Sequence, residues 1–155
     1  MSVNISVVIP CFNASAFIAE TIHSVLKQGC DDVEIVVVDD KSTDDTRKIL
    51  EQLATENPNE IRIVSGAGKG PAAARNVGIA EANGVYIAFL DADDVWLPNK
   101  LQKQLARLEE AGDKALVYSD RIWVDGSGAV LADSPLQQTF PEGYVFTDLI
   151  GGNYL

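Results

Sequence analysis

The sequence predicts an α/β protein built on a doubly wound, mostly parallel sheet flanked by helices. Two observations predict it. Short apolar runs rich in Val and Ile, at residues 5–9, 33–38, 61–64 and 85–90, alternate with longer stretches of helical periodicity. Three of these runs stop at polar groups: Pro10-Cys11-Phe12-Asn13, Asp39-Asp40 and Asp91-Ala92-Asp93-Asp94. In open sheets of this kind, ligands collect outside the carboxyl ends of the strands.

Size and composition bound the reading. A chain of 155 residues is expected to be one domain, residues 1–155. Twelve basic against 23 acidic residues give a formal charge of −11, which repels a nucleic-acid backbone and excludes that class of partner. An anionic small molecule then needs a local inversion of the field, by a metal or by Lys69 and Arg75. No apolar run reaches the roughly 20 residues of a membrane span, and no leader pattern precedes the first strand, so the cytoplasm is the expected location. Cys11 and Cys30 have no metal-ligand spacing and read as free buried thiols.

The first strand is expected to stop at Pro10, which lacks a ladder donor. From about Ala16, Phe17, Ile18, Ile22, Val25 and Leu26 fall on one helical face, with Gly29 placed to end the helix; His23 is an ordinary residue of that helix. The second strand ends at Asp39-Asp40. Ser42-Thr43-Asp44-Asp45 has capping-box spacing, which assigns Asp44 and Asp45 to structure, and Pro58 forbids the next helix from continuing. After the third strand, Ser65-Gly66-Ala67-Gly68-Lys69-Gly70-Pro71 fits neither a Walker loop nor a dinucleotide fingerprint, because Gly70 and Pro71 stand where Ser/Thr and glycine are needed. A mobile loop is the default. A small-residue helix from Pro71 can then pack close to a sheet.

The acidic strand end is the centre of the reading. The fourth run reads as a buried strand, and three carboxylates within four residues at its end repel one another and call for a counter-ion. A divalent metal bridging to a phosphorylated ligand is the simplest. Beyond it, Pro98 opens a helix bearing Leu101, Leu105 and Leu108, stopped by Gly112. Residues 115–119 are expected to form a strand ending at Asp120, and residues 121–132 a hairpin around Asp125-Gly126-Ser127-Gly128. The tail from Phe140 to Leu155 has weak helical character.

A flat ring, a lone carboxylate and an acidic cluster at neighbouring strand ends make a nucleotide site. Phe12 is suited to lie against a base, Asp40 to accept an imino N–H of uracil or guanine, and the cluster to hold metal on a diphosphate. Core packing is the alternative for Phe12, helix capping for Asp40, and surface solvation for Arg75.

Four segments, taken together and in order, resemble the motifs of family 2 glycosyltransferases with the GT-A, Rossmann-like fold. They are Ser6-Val7-Val8-Ile9-Pro10-Cys11-Phe12-Asn13, Val36-Val37-Val38-Asp39-Asp40-Lys41-Ser42-Thr43-Asp44-Asp45-Thr46, Ala74-Arg75-Asn76-Val77-Gly78-Ile79 and Leu90-Asp91-Ala92-Asp93-Asp94. The resemblance implies a donor site made of Pro10, Phe12, Asn13, Asp40, Arg75, Asp91, Ala92 and Asp93. In it, Pro10, Phe12 and Asp40 hold the base, Arg75 lies near the nucleotide, Asp91 lies near the ribose, and Asp93, with Asp91, binds Mn²⁺ or Mg²⁺. Phe12 stands where the family often has tyrosine, and Lys41 where it commonly has glycine.

The implied reaction is inverting transfer of a sugar from a nucleoside diphosphate, UDP first, to a hydroxyl of a saccharide or lipid-linked acceptor in polysaccharide or glycan synthesis. The catalytic base of such enzymes lies in the second half of the domain, so it is expected beyond Leu155, as is any attachment to a membrane. Asp120, Asp125 and Asp133 match no base motif and read as structural. The competing readings are a non-catalytic nucleotide-sugar-binding module, a nucleotidyltransferase and a haloacid-dehalogenase-type phosphatase. The last lacks chain for its later lysine and acidic pair.

Overall fold

The computed structural model describes residues 4–30, 32–111, 116–119 and 121–132. The chain groups into two compact units, Met1–Asp113 and Lys114–Leu155. In the first unit, β1 (Ile5–Cys11), β2 (Val33–Asp39), β3 (Ile61–Ser65) and β4 (Tyr86–Phe89) form one parallel sheet in the order β3-β2-β1-β4. The helices α1 (Ile18–Leu26), α2 (Thr46–Glu56) and α3 (Pro71–Glu81) are the crossovers, and α4 (Lys100–Ala111) follows β4. The order reverses between β1 and β4. Their C-terminal ends therefore open onto the crevice where such sheets bind ligands.

Burial follows from this layout. All of β1 and six residues of β2 are buried, as central strands covered on both faces should be. Val7, Ile9, Ile35 and Val37 face a core shared with Ile18, Ile22, Leu50, Leu53 and Leu101 of the helices. Val36 and Val38 face α3 through Ala74. Gly78 is what lets α3 come so close: a Cβ there would collide with Val8 and lie 3.3 Å from Val38. The small-residue helix packs on the sheet as its composition predicts.

Four expectations are corrected. Pairing does not stop at Pro10, since Pro10 and Cys11 pair with Val38 and Asp39. In a parallel ladder alternate residues bond to opposite neighbours, and the Val8 carbonyl faces β4 by accepting from Leu90 N–H. Pro10, two residues on, points its missing donor to that side, where β4 has already ended. The fourth strand is not buried on both faces: it is an edge strand among the described residues, with Tyr86 and Ala88 on the core and Phe89 48 % exposed. Phe17 precedes α1 rather than joining its buried face, and is exposed. The Ser42/Asp45 capping box does not form. Asp45 sits at the N-cap without a side-chain bond; Ser42 Oγ instead accepts from Asn13 N–H, and Asp44 takes both the amide (3.0 Å) and hydroxyl (2.5 Å) of Thr46.

A second anchor lies at the opposite, N-terminal end of the strands. Glu34, buried on β2, accepts from the Ser6 hydroxyl and the Asn83 amide, both at 2.6 Å, and faces Arg62 at 3.6 Å. Gly84 N–H in turn donates to Ser6 Oγ at 2.8 Å. The network fixes the turn that launches β4.

In the second unit, β5 (Trp123–Val124) and β6 (Val130–Ala132) form the predicted antiparallel hairpin. Asp125 Oδ1 accepts from Ser127 N–H, Ser127 Oγ and Ala129 N–H, so this carboxylate holds the turn, as its structural reading requires. Residues 116–119 carry no strand, contrary to expectation, because no described segment offers them a ladder. Asp120, Asp133 and the tail from Phe140 lie outside the described residues.

Candidate nucleotide and metal site

Two adjoining cavities lie at the C-terminal ends of β1, β2 and β4. The first, about 420 Å³, is lined by Pro10, Cys11, Phe12, Asp40, Lys41, Gly68, Gly70, Pro71 and Ala74. The second, about 320 Å³, is lined by Pro10, Phe12, Asn13, Ala14, Phe17, Pro71, Arg75, Asp91, Ala92 and Asp93. Pro10, Phe12 and Pro71 form the ridge between them. The eight predicted site residues, from four separate segments, all line one or the other.

Phe12 is 60 % exposed, which disposes of core packing. Its neighbour Asn13 adopts a left-handed φ of 50° and ties two loops together: its amide donates to Ser42 Oγ, and its side-chain oxygen accepts from Thr43 N–H at 2.8 Å. Asp44 adds Ser15 N–H at 3.2 Å. The loop that presents Phe12 is thus held against the start of α2.

Asp40 is buried, and its role differs from helix capping. Its backbone N–H donates to Cys11 O, which continues the β1–β2 ladder one step. Its carboxylate accepts Gly68 N–H on Oδ1 at 2.6 Å and Gly70 N–H on Oδ2 at 2.8 Å. The glycine-rich segment expected to be mobile is therefore latched onto β2. Gly66 must be glycine here, because an added Cβ would strike the Asp40 carboxylate. Each oxygen keeps acceptor capacity, since an ionised carboxylate offers about four lone-pair sites.

Across the ridge, Arg75 Nη2 on α3 lies 2.5 Å from Asp91 Oδ1. Arg75 is engaged rather than simply solvated, and it supplies part of the counter-charge the acidic cluster calls for. Asp91-Ala92-Asp93-Asp94 is a tight turn closed by Asp94 N–H on Asp91 O at 3.1 Å, with Asp93 exposed at its corner. Of the two cations expected to invert the field locally, Arg75 lines the second cavity and Lys69 lines neither; Lys41, with φ of 68°, lines the first.

The acidic turn meets the needs of a divalent metal only in part. Among the described residues no group of three His, Cys, Asp or Glu side chains is gathered to hold one. Asp91 and Asp93 offer hard carboxylate oxygens of the kind Mg²⁺ and Mn²⁺ take, but too few for an all-protein cage. They would fit only an ion that draws most of its ligands from elsewhere.

Sequence reasoning missed what holds the acidic turn in place. Thr21, Ser24 and Gln28 on and just beyond α1 form a buried polar stripe. Thr21 Oγ1 donates to Ala92 O at 2.9 Å, Ser24 Oγ accepts Trp96 N–H at 3.0 Å, and Gln28 joins Leu97 O and Leu101 N–H. Their spacing of three and four residues on a helix with an otherwise apolar buried face was the available signal. Cys11, below the ridge, has its thiol pushed up to about 12 by burial and by the nearby Asp39 and Asp44 carboxylates.

Comparison with known proteins identifies the family. The model of glycosyl transferase family 2 matches residues 6–134. The chain belongs to that family. It is 38 % identical over 133 residues to an uncharacterized glycosyltransferase of Nostoc sp., covering 86 % of this chain and 41 % of the relative. It is 42 % identical over 106 residues to TuaG of Bacillus subtilis, a glycosyltransferase named for teichuronic acid biosynthesis, covering 68 % of this chain and 42 % of TuaG. Among solved structures, S. aureus TarS superimposes with a TM-score of 0.63 at 32 % identity, over 70 % of this chain and 20 % of TarS. The Pyrobaculum calidifontis mannosyltransferase PcManGT, solved with GDP-Man and Mn²⁺, gives 0.59 at 28 %, over 64 % of this chain and 30 % of that one. The family 2 chain thus has the GT-A fold and spans about two fifths of the Nostoc and Bacillus relatives.

Proposed function

We propose that the chain is the donor-binding part of a metal-dependent glycosyltransferase. It would move a sugar from a nucleoside diphosphate, UDP first, to an acceptor hydroxyl with inversion, in the cytoplasm, during polysaccharide or glycan synthesis. The observation that carries the proposal is the meeting of Phe12, Asp40, Arg75 and Asp93 along one strand-end crevice. The names of relatives point the same way. TarS was solved with UDP and with UDP-GlcNAc, PcManGT with GDP-Man and Mn²⁺, and TuaG is named for teichuronic acid biosynthesis.

In this reading the base enters the first cavity, where Phe12 offers its face and Asp40 accepts an imino N–H. Its remaining acceptor capacity is already oriented by the two glycine amides, so binding needs little rearrangement of the wall. The diphosphate crosses the ridge to Arg75, and Asp91 faces the ribose. Asp93, with Asp91, would hold Mn²⁺ or Mg²⁺, which when bound supplies neutralising charge for the leaving diphosphate. The acceptor's proton would go to a carboxylate base; Asp125 does not serve, being committed to its turn.

A thermal-shift panel of UDP, GDP, dTDP and CDP, each with and without Mn²⁺, tests the proposal. A ligand at 100 times its Kd adds about 2.7 kcal/mol of stability. UDP is expected to give the largest shift, and Mn²⁺ to increase it. No shift with any nucleotide refutes the reading.

A further inference from the structure

The acidic turn is built from the helix beneath it. Thr21 is fully buried on α1, and its hydroxyl donates to the carbonyl of Ala92, the residue between Asp91 and Asp93. One helical turn on, Ser24 Oγ accepts Trp96 N–H while donating its own proton to Thr21 O at 2.7 Å. Gln28 completes the series: its side-chain amide donates to Leu97 O at 3.0 Å and to Ser24 O at 3.1 Å, and its oxygen accepts Leu101 N–H at 3.2 Å. Gln102 returns a bond to the Gln28 carbonyl. The segment from the acidic turn to the start of α4 has almost no secondary structure of its own, and these three side chains bond the main-chain groups of Ala92, Trp96, Leu97 and, at the start of α4, Leu101.

This pattern is costly unless position matters. Buried hydroxyls and amides on a helix face that could carry Val or Leu give up apolar packing, and each must find a partner. Here the partners beyond α1 are main-chain groups of the stretch from Ala92 to Leu101. Thr21 meets this stretch at Ala92, between Asp91 and Asp93, where a held carbonyl bears on the placement of both carboxylates.

We propose that Thr21, supported by Ser24 and Gln28, is a positioning residue for the metal and diphosphate end of the site. The proposal rests on the donor-site reading above. It assigns Thr21 no contact with ligand; Thr21 acts through the Ala92 carbonyl. Partners behind metal-binding groups change metal affinity by about 10–100-fold when removed. Loss of the Thr21 hydroxyl should therefore weaken the metal-assisted part of nucleotide binding and leave the base cavity, which Thr21 does not line, unaffected.

Calorimetric titration of UDP with and without Mn²⁺ separates the two parts, with both measured well below the Tm of each variant. For Thr21→Val, the gain in UDP affinity from Mn²⁺ should fall about tenfold, metal-free UDP affinity should stay within about twofold, and Thr21→Ser should restore the wild-type gain. A purely structural role would lower Tm without changing the ratio of the two affinities. Should Thr21→Val not fold, Ser24→Ala carries the same expectation. A folded variant of either residue that keeps the full Mn²⁺ gain, or loses metal-free binding in equal measure, overturns the inference. A wild-type chain that binds UDP without any gain from Mn²⁺ instead refutes the metal-dependent reading on which it rests.

Discussion

Arg75 on α3 and Asp91 at the end of β4 are joined by a guanidinium–carboxylate contact of 2.5 Å, sixteen residues apart in sequence and both lining one cavity. The pair spans the place where the sheet order reverses. Because both side chains are partly exposed, it contributes at most about 1 kcal/mol to stability. Arg75→Ala is accordingly expected to change urea-unfolding stability by no more than that amount, yet to weaken UDP binding by at least about tenfold, the loss of one charge-assisted contact. Equal losses in stability and affinity would contradict this.

Phe12 gives the complementary case. A ring this exposed adds little to the folded state, whereas base–aromatic stacking is worth about 1–3 kcal/mol by alanine substitution. Phe12→Ala should leave Tm nearly unchanged and raise the Kd for UDP by about 5- to 150-fold, measured by calorimetry. Phe12→Tyr should retain wild-type affinity.

Asp40 should behave in the opposite sense, costing both. In Asp40→Asn one side-chain atom becomes a donor facing Gly68 or Gly70, so a buried amide loses its acceptor at about 1–3 kcal/mol. The expected result is a lower urea midpoint, faster hydrogen exchange at Gly68 and Gly70, and no measurable UDP binding. Unchanged exchange at both glycines would show that the latch is not what orders the loop.

Glu34 sets an acid limit far from the site. Burial alone would raise its carboxyl, but the Ser6 hydroxyl, the Asn83 amide and side chain, and Arg62 outweigh burial and hold it below its ordinary value. A carboxyl lowered by folding contributes stability that is present above its unfolded value and lost as pH falls through the folded one. The urea midpoint should fall as pH is lowered past the usual glutamate range, and the gap between wild type and Glu34→Gln should narrow over the same interval. A gap constant from neutral pH to pH 3 would contradict the account.

What could be read in advance, and what could not, divides along a physical line. The branched apolar runs locate β1 to β4 because a strand buried among helices needs them, and Pro71 and Gly78 locate a helix that lies close to the sheet. Ladder sidedness is not written in a run of residues, so Pro10 reads as a stop although the ladder with β2 continues through Cys11. Edge or centre is likewise a tertiary property, and the uniformly apolar fourth run gives no sign that Ile87 and Phe89 face outward. Asp40 was legible as an acid at a strand end, but its bonds to Gly68 and Gly70 join residues 28 and 30 positions away. Thr21, Ser24 and Gln28 carried a periodic signal that an apolar-face reading of α1 passes over.

The most direct test of the central claim is an amide-resolved NMR titration with UDP, followed by a trace of Mn²⁺, whose paramagnetism broadens nearby resonances. The account predicts UDP-induced shifts at Phe12, Lys41 and Gly68, and Mn²⁺ broadening centred on Asp91 to Asp94 and reaching Arg75. Shifts and broadening at separate faces of the protein, or broadening that is the same with and without UDP, would contradict a single donor site at the strand ends.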